Sequence, residues 1–172
     1  MRFIALVLAF ALFASPTHAR PPEVSQALPN SEQVGQAQYR PLSIPLFSAE
    51  TWAEGGDFSW SEPFALTLTY HRNARASTLI NRSIREMSQR GAGTPASLAP
   101  LRTQLAACFP NVTQNDRITG VSTSPDTARF YYNGAHRCDI RWPGFRRTFF
   151  GIWLAGRDGP AAEISAQLRG ER

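Results

Sequence analysis

Residues 109–157 constrain the fold more than any other part of the chain, because within them the hydrophobic period passes from strand to helix. Residues 117–123 and 128–132 read as strands, and Asn133-Gly134 joins the second to a third that runs to Trp142. Asn-Gly is the strongest short signal for a two-residue hairpin, since both central positions of a type I′ turn need positive φ. From Phe145 onward, Phe145, Phe149, Ile152 and Trp153 return to helical spacing, which predicts a buried helix over 144–154.

The rest of the chain repeats this alternation of strands and helices. Phe64, Leu66, Leu68 and Tyr70 fall on one face of a strand, with Ala65, Thr67 and Thr69 on the other. Earlier, 34–40 and 41–49 read as two short strands, the second irregular because of Pro41 and Pro45. Gly55-Gly56-Asp57 reads as a turn. Leu79, Ile80, Ile84 and Met87 then recur at helical spacing, with Arg82, Arg85, Glu86 and Gln89 turned away and Gly91 past the end. A second helix carries Leu98, Leu101, Leu105 and Cys108, with Pro110 after its end. Pro160 opens a last short helix with Ile164 and Leu168. Hairpin-paired strands with helices grouped between them predict an α+β fold. The expected form is an open-faced β-sandwich, a mainly antiparallel sheet covered on one side by a layer of helices. The gap between the two layers is a natural place for an apolar ligand.

Residues 1–19 have the form of a signal peptide: Met1-Arg2, an apolar run from Phe3 to Ala14, a Ser15-Pro16 break and Thr17-His18-Ala19. The run is shorter than the about 20 residues that span a bilayer. An uncleaved anchor is the alternative. No later segment reads as a transmembrane span, so the expected location is periplasmic or secreted. Residues 20–33 are polar and proline-rich and read as a flexible lead-in. Residues 34–172 then form a single domain with one core.

Composition limits the function classes. All 18 basic residues are Arg, against 13 acidic ones, for a net charge of +5. The arginines are dispersed rather than gathered in a patch, which argues against a nucleic-acid partner. His71 and His136 form no HExxH-type pair and there is no CxxC, so no metal site and no cofactor is expected. Nucleophile-elbow, P-loop and dinucleotide-binding motifs are absent. Cys108 and Cys138 are either a disulfide, suited to an oxidising compartment, or two small buried apolar residues. Asp116-Arg117 invites a catalytic reading, but a carboxylate capping a turn at a strand entrance, or an ion pair, is the favoured one.

Six blocks recur in a fixed order: Phe58-Ser59-Trp60 with Pro63-Phe64-Ala65-Leu66, Ser83-Ile84-Arg85-Glu86-Met87, Phe109-Pro110-x-Val112, Asp116-Arg117-Ile118-Thr119-Gly120-Val121, Phe130-Tyr131-x-Asn133-Gly134, and Phe149-Phe150-Gly151-Ile152-Trp153-Leu154. Together, over about residues 34–170, they resemble the bacterial chalcone isomerase-like proteins. The resemblance implies the open-faced sandwich, and a superfamily holding both isomerases that close a chalcone and relatives that only bind fatty acids. The isomerases hold a phenolate with Arg and polarise the ketone through Thr, Tyr and Asn. Here Phe47-Ser48-Ala49 resembles their Phe-Thr-Ala, leaving Ser48 the hydroxyl. Their Arg falls on Gln36, with Arg40 the nearest arginine, and their Tyr and Asn fall near Ala76 and Ser83. A small shift would bring Arg40 or Asn81 into play.

With one role of four retained, the expected function is non-catalytic binding of a fatty acid or other apolar or amphipathic small molecule between sheet and helices. Arg40, Ser48 and Arg117 are the candidate ligand-binding residues. The alternatives are an isomerase (an intramolecular lyase) acting on a chalcone-like α,β-unsaturated ketone, and a cell-envelope interaction module with no small ligand. A protein partner and the oligomeric state are not specified by the sequence.

Overall fold

Six strands, each hydrogen-bonded to the next, form one antiparallel meander in the order β1 to β6. They are β1 (Ser31–Tyr39), β2 (Phe47–Glu54), β3 (Phe64–Tyr70), β4 (Arg117–Ser124), β5 (Thr127–Tyr132) and β6 (Ala135–Arg141). The structure, a computed structural model, describes residues 19–171. The expected signal peptide lies outside the described residues but for Ala19.

The β3 alternation is present as read, with Phe64, Leu66 and Leu68 buried on one face and Ala65 and Thr67 on the other. The β5–β6 turn is the expected hairpin, Asn133 at φ 49° and Gly134 at φ 87°, both in the left-handed region a type I′ turn requires. Helices α2 (Ala76–Gln89) and α3 (Ala99–Cys108) form the long β3–β4 connection. The helix expected over 144–154 opens as a π-helical turn (Arg146–Phe150) and continues as α4 (Gly151–Leu154). Helix α5 (Gly159–Leu168) starts one residue before the expected Pro160. α5 packs on β1 and α3 on β6, with α2 and α4 between them. This layer buries the main core, including Leu101, Leu105, Phe130, Phe145, Phe150 and Leu154. The α+β open-faced sandwich is therefore the architecture observed.

Three expectations are corrected. Residues 20–33 are not a free lead-in: Pro22–Ala27 form helix α1 and β1 begins at Ser31. Val24 is fully buried on the sheet face opposite the helical layer, against Trp52, Ala65, Val121 and Tyr131. A polar, proline-rich composition hid one apolar anchor and a proline suited to the first helical turn. Second, β2 starts at Phe47 rather than Pro41, and 40–46 is the β1–β2 turn, tied at its base by Leu46 N–H to Tyr39 O at 2.9 Å. Neither Pro41 nor Pro45 has an N–H to give to a ladder. Third, Glu86 does not point away from the core but is half-buried beside Ser83.

Cys108 at the end of α3 is bonded to Cys138 on β6, with Cα atoms 5.3 Å apart. The bond fastens the helical layer to the far edge of the sheet.

Candidate functional site

Between sheet and helices lies a largely apolar cavity of about 480 Å³, within the range of small-molecule sites. Its floor is the bulky face of the sheet: Phe47, Leu66, Leu68, Tyr70, Ile118 and Phe130. Gly120 completes the floor, where a Cβ would stand 2.9 Å from the Phe130 ring and 3.1 Å from that of Phe150. The glycine lets those two rings close over the sheet. α2 supplies one wall through Leu79, Ser83, Glu86 and Arg90, and α4 with α5 the other through Ile152, Trp153 and Ile164. The exposed lining residues Arg72, Asn73, Thr78 and Arg82 mark the mouth, near the start of α2.

Polar groups in the lining are few. Arg82 lies 3.6 Å from Glu86 at the rim. At the other end of α2, Arg90 gives one N–H to Ala155 O at 3.0 Å, while its buried Nε has no partner. Desolvation pushes the pKa of Arg90 down, with Glu86 opposing and Arg157 adding to that shift. Burial pushes the Tyr70 phenol well up, so it stays protonated and can donate a hydrogen bond. Ser83 returns its hydroxyl to Leu79 O at 2.9 Å. The site offers volume, apolar surface and arginine.

None of the three residues expected to bind ligand lines this cavity. Arg40 is exposed in the β1–β2 turn. Ser48 pairs with Thr69 on the opposite sheet face and bonds His71 Nε2 at 2.7 Å. Arg117 is on that face too, held by the carboxylate of Glu23 at 2.8 and 3.0 Å. Side chains alternate along a strand, so Phe47 reaches the cavity and its neighbour Ser48 turns from it. Asn81 accepts a hydrogen bond from Arg102 of α3.

On the opposite face, α1 lays Glu23 over β4. Its carboxylate also accepts from Thr119 Oγ1 at 2.8 Å, and Thr119 meets Thr67 at 3.2 Å. Burial alone would raise the Glu23 carboxyl, but the Arg117 bond and its other hydrogen bonds hold it below the ordinary range. Asp116 has the turn-capping role favoured from sequence. Its carboxylate accepts from Asn133 Nδ2, from Thr113 N–H and from the Tyr132 hydroxyl at 2.9, 2.6 and 2.8 Å. Those bonds, Asn133 first, hold its pKa well below the usual carboxylate range.

Sequence reasoning missed Arg72 and Arg90, although both carried a signal. Arg72 continues the alternation of Leu68 and Tyr70 beyond the strand end. Arg90 continues the helical stripe of Leu79, Ser83 and Glu86. Among the described residues, no cluster of three or more His, Cys, Asp or Glu could hold a metal ion, and no helix is long and apolar enough to cross a membrane.

No protein-family model and no curated protein matches the chain by sequence. Among solved structures, it is similar to a crystal structure of an Arabidopsis thaliana fatty-acid binding protein, at 9% identity and a TM-score of 0.60. The match covers 82% of this chain and 87% of that one. At that identity the likeness is one of fold.

Proposed function

We propose that this chain is an exported chalcone isomerase-like domain that binds a fatty acid, or another long apolar carboxylate, in the cavity between sheet and helices, with no reaction performed on it. The observation that carries this reading is the apolar cavity of about 480 Å³ with an arginine whose buried Nε lacks a partner. Burying about ten methylenes contributes roughly 8 kcal/mol before the costs of association. A carboxylate satisfies an unpaired guanidinium donor better than a neutral acceptor does. Arg90 is assigned that carboxylate, in place of Arg40 and Arg117. The fold shared with a fatty-acid binding protein supports the reading. So does the orientation of Ser48, the one hydroxyl matching the isomerase pattern, away from the cavity. The Cys108–Cys138 bond and the form of residues 1–19 support an oxidising compartment outside the cytoplasm.

Native mass spectrometry of protein isolated from its own compartment, followed by delipidation and titration with a fluorescent fatty acid, tests this. One saturable site is expected, and a mature chain starting near Arg20. Arg90→Met is expected to weaken the acid about tenfold, by about 1.4 kcal/mol, while sparing the matching fatty alcohol. Protein that carries no ligand and takes up none would sink the reading.

A further inference from the structure

The two large apolar residues left most exposed among the described ones share a single turn. In the β1–β2 connection Leu42 is 94% exposed and Ile44 42%. The turn does not fold them back onto the protein. Leu42 and Ser43 take φ of 50° and 64°, a left-handed conformation unfavourable for side-chain-bearing residues. Pro41 and Pro45 stiffen the flanks. The turn's base belongs to the cavity: Tyr39 and Leu46 both line it. Leu46 O accepts from His71 N–H at 2.9 Å, which sets the turn beside Arg72 at the mouth.

The charge distribution points the same way. Turns at this end of the sheet, residues 40–46, 71–75, 109–116 and 133–134, hold Arg40, Arg72 and Arg75 against one carboxylate, Asp116. Asp116 is already held by Thr113, Tyr132 and Asn133. Turns at the opposite end, residues 55–63, 125–126 and 142–145, hold Asp57, Glu62 and Asp126. The arginines there are engaged by the protein: Arg146 bonds Trp60 O, Arg147 lies over the Trp60 ring, and Arg20 bonds Pro29 O and Ser31 O. An apolar tip with Arg40 in its own turn and Arg72 near its base, at the mouth of an apolar cavity, matches the order of a bilayer surface, where anionic headgroups overlie acyl chains. Arginine stems can lie along the apolar layer while their heads stay at the phosphates.

The geometry points to the 40–46 turn as a docking element for an anionic lipid bilayer, with Leu42 and Ile44 entering the acyl boundary and Arg40 and Arg75 meeting the headgroups. The purpose of this contact, exchange of an acyl ligand between bilayer and cavity, rests on the function proposed above. The contact itself is tested separately.

The full chain and a Leu42→Ser/Ile44→Ser variant are compared on phosphatidylcholine vesicles with and without phosphatidylglycerol, by co-sedimentation and by transfer of a fluorescent fatty acid to the protein. Residues 1–18 are common to both proteins, so the difference reads the turn. Wild type is expected to sediment with the anionic vesicles, less so at high salt. The variant should sediment and accept ligand about tenfold less well, with unchanged melting temperature and unchanged affinity for the fatty acid in buffer. Arg40→Gln/Arg75→Gln should remove the preference for phosphatidylglycerol. Equal sedimentation of wild type and variant, or none for either, overturns the proposal. A concentration-dependent dimer that the serine variant abolishes, without vesicle binding, overturns it in favour of a second copy of the chain. If vesicle binding differs as expected while neither protein takes fatty acid in buffer, the docking element stands and the cavity's ligand is misassigned.

Discussion

The two faces of the sheet solve the problem of a buried surface in opposite ways. On one, Phe47, Leu66, Leu68, Tyr70 and Phe130 look into open volume roofed by α2, α4 and α5. On the other, the six residues of α1 press Val24 and Glu23 onto Trp52, Thr119 and Val121. Glu23 bonds Arg117 and Thr119 there, while the Trp52 indole N–H is left without a partner among the described residues. The sealed face holds a carboxylate and a guanidinium in one fixed geometry, which gives rigidity and leaves little room for a ligand. The open face keeps a few polar groups at its edges, and among the described residues Arg90 Nε and Thr51 Oγ1 are left there without a partner. The difference teaches that charge on this sheet marks the structural side, and apolar surface the side free to bind.

The sharpest way to break that contrast is Arg117→Ala. The Glu23 side chain is fully buried and Arg117 only 29% exposed, so the variant strands a carboxylate and should lose about 3–5 kcal/mol of stability in urea titration. Fatty-acid affinity of the folded fraction should not change. A loss of ligand with stability intact would mean that the faces are not independent.

Reduction of the Cys108–Cys138 bond comes next. Opening a loop of 30 residues' separation should cost about 3 kcal/mol. Hydrogen exchange should show the loss first in α3 and β6 on the open side, ahead of α1. Uniform loss over both faces would weaken the contrast.

Leu79→Trp fills the cavity from the α2 wall, and calorimetry should show fatty-acid binding weakened by about 2 kcal/mol. The melting temperature should move little, because the added ring enters empty space. A drop in melting temperature with affinity retained would place the ligand elsewhere.

The smallest effect is on acid stability. Glu23 and Asp116 both have depressed pKa values in the folded protein. Their contributions are present above the ordinary carboxylate pKa of about 4 and are lost as pH falls through the folded values. Melting followed from pH 7 to pH 2 should decline below about pH 4 in wild type, and less steeply in Asp116→Asn. Identical profiles would show that Asp116 is not held by the bonds described.

Much of the fold was legible in the sequence, and the site far less so. The β3 alternation, the stripes of α2 and α3 and the Asn133-Gly134 hairpin each depend on neighbours within a few residues, and each is found where the residues put it. α1 was hidden because six residues with one anchoring Val24 carry no periodic signal. Arg40, Ser48 and Arg117 were chosen by chemical type, but Arg40 lies in the β1–β2 turn, and for the other two, on strands, type does not settle direction. Ser48 and Arg117 are each separated from the cavity by a single step of alternation, and Arg117 is held on its face by Glu23, 94 positions earlier in the chain.

The sequence by itself determined strands β3 to β6, helices α2 to α5, the tight hairpin and which cysteines were available to bond, since these follow from local dihedral preference and hydrophobic period. Only the tertiary structure decided which sheet face stays open, that Glu23 claims Arg117, and that Arg72 and Arg90 flank the cavity. A period of two defines two faces without saying which one is covered. That depends on where helices from distant parts of the chain come to rest, and on how completely they fill the space beneath them.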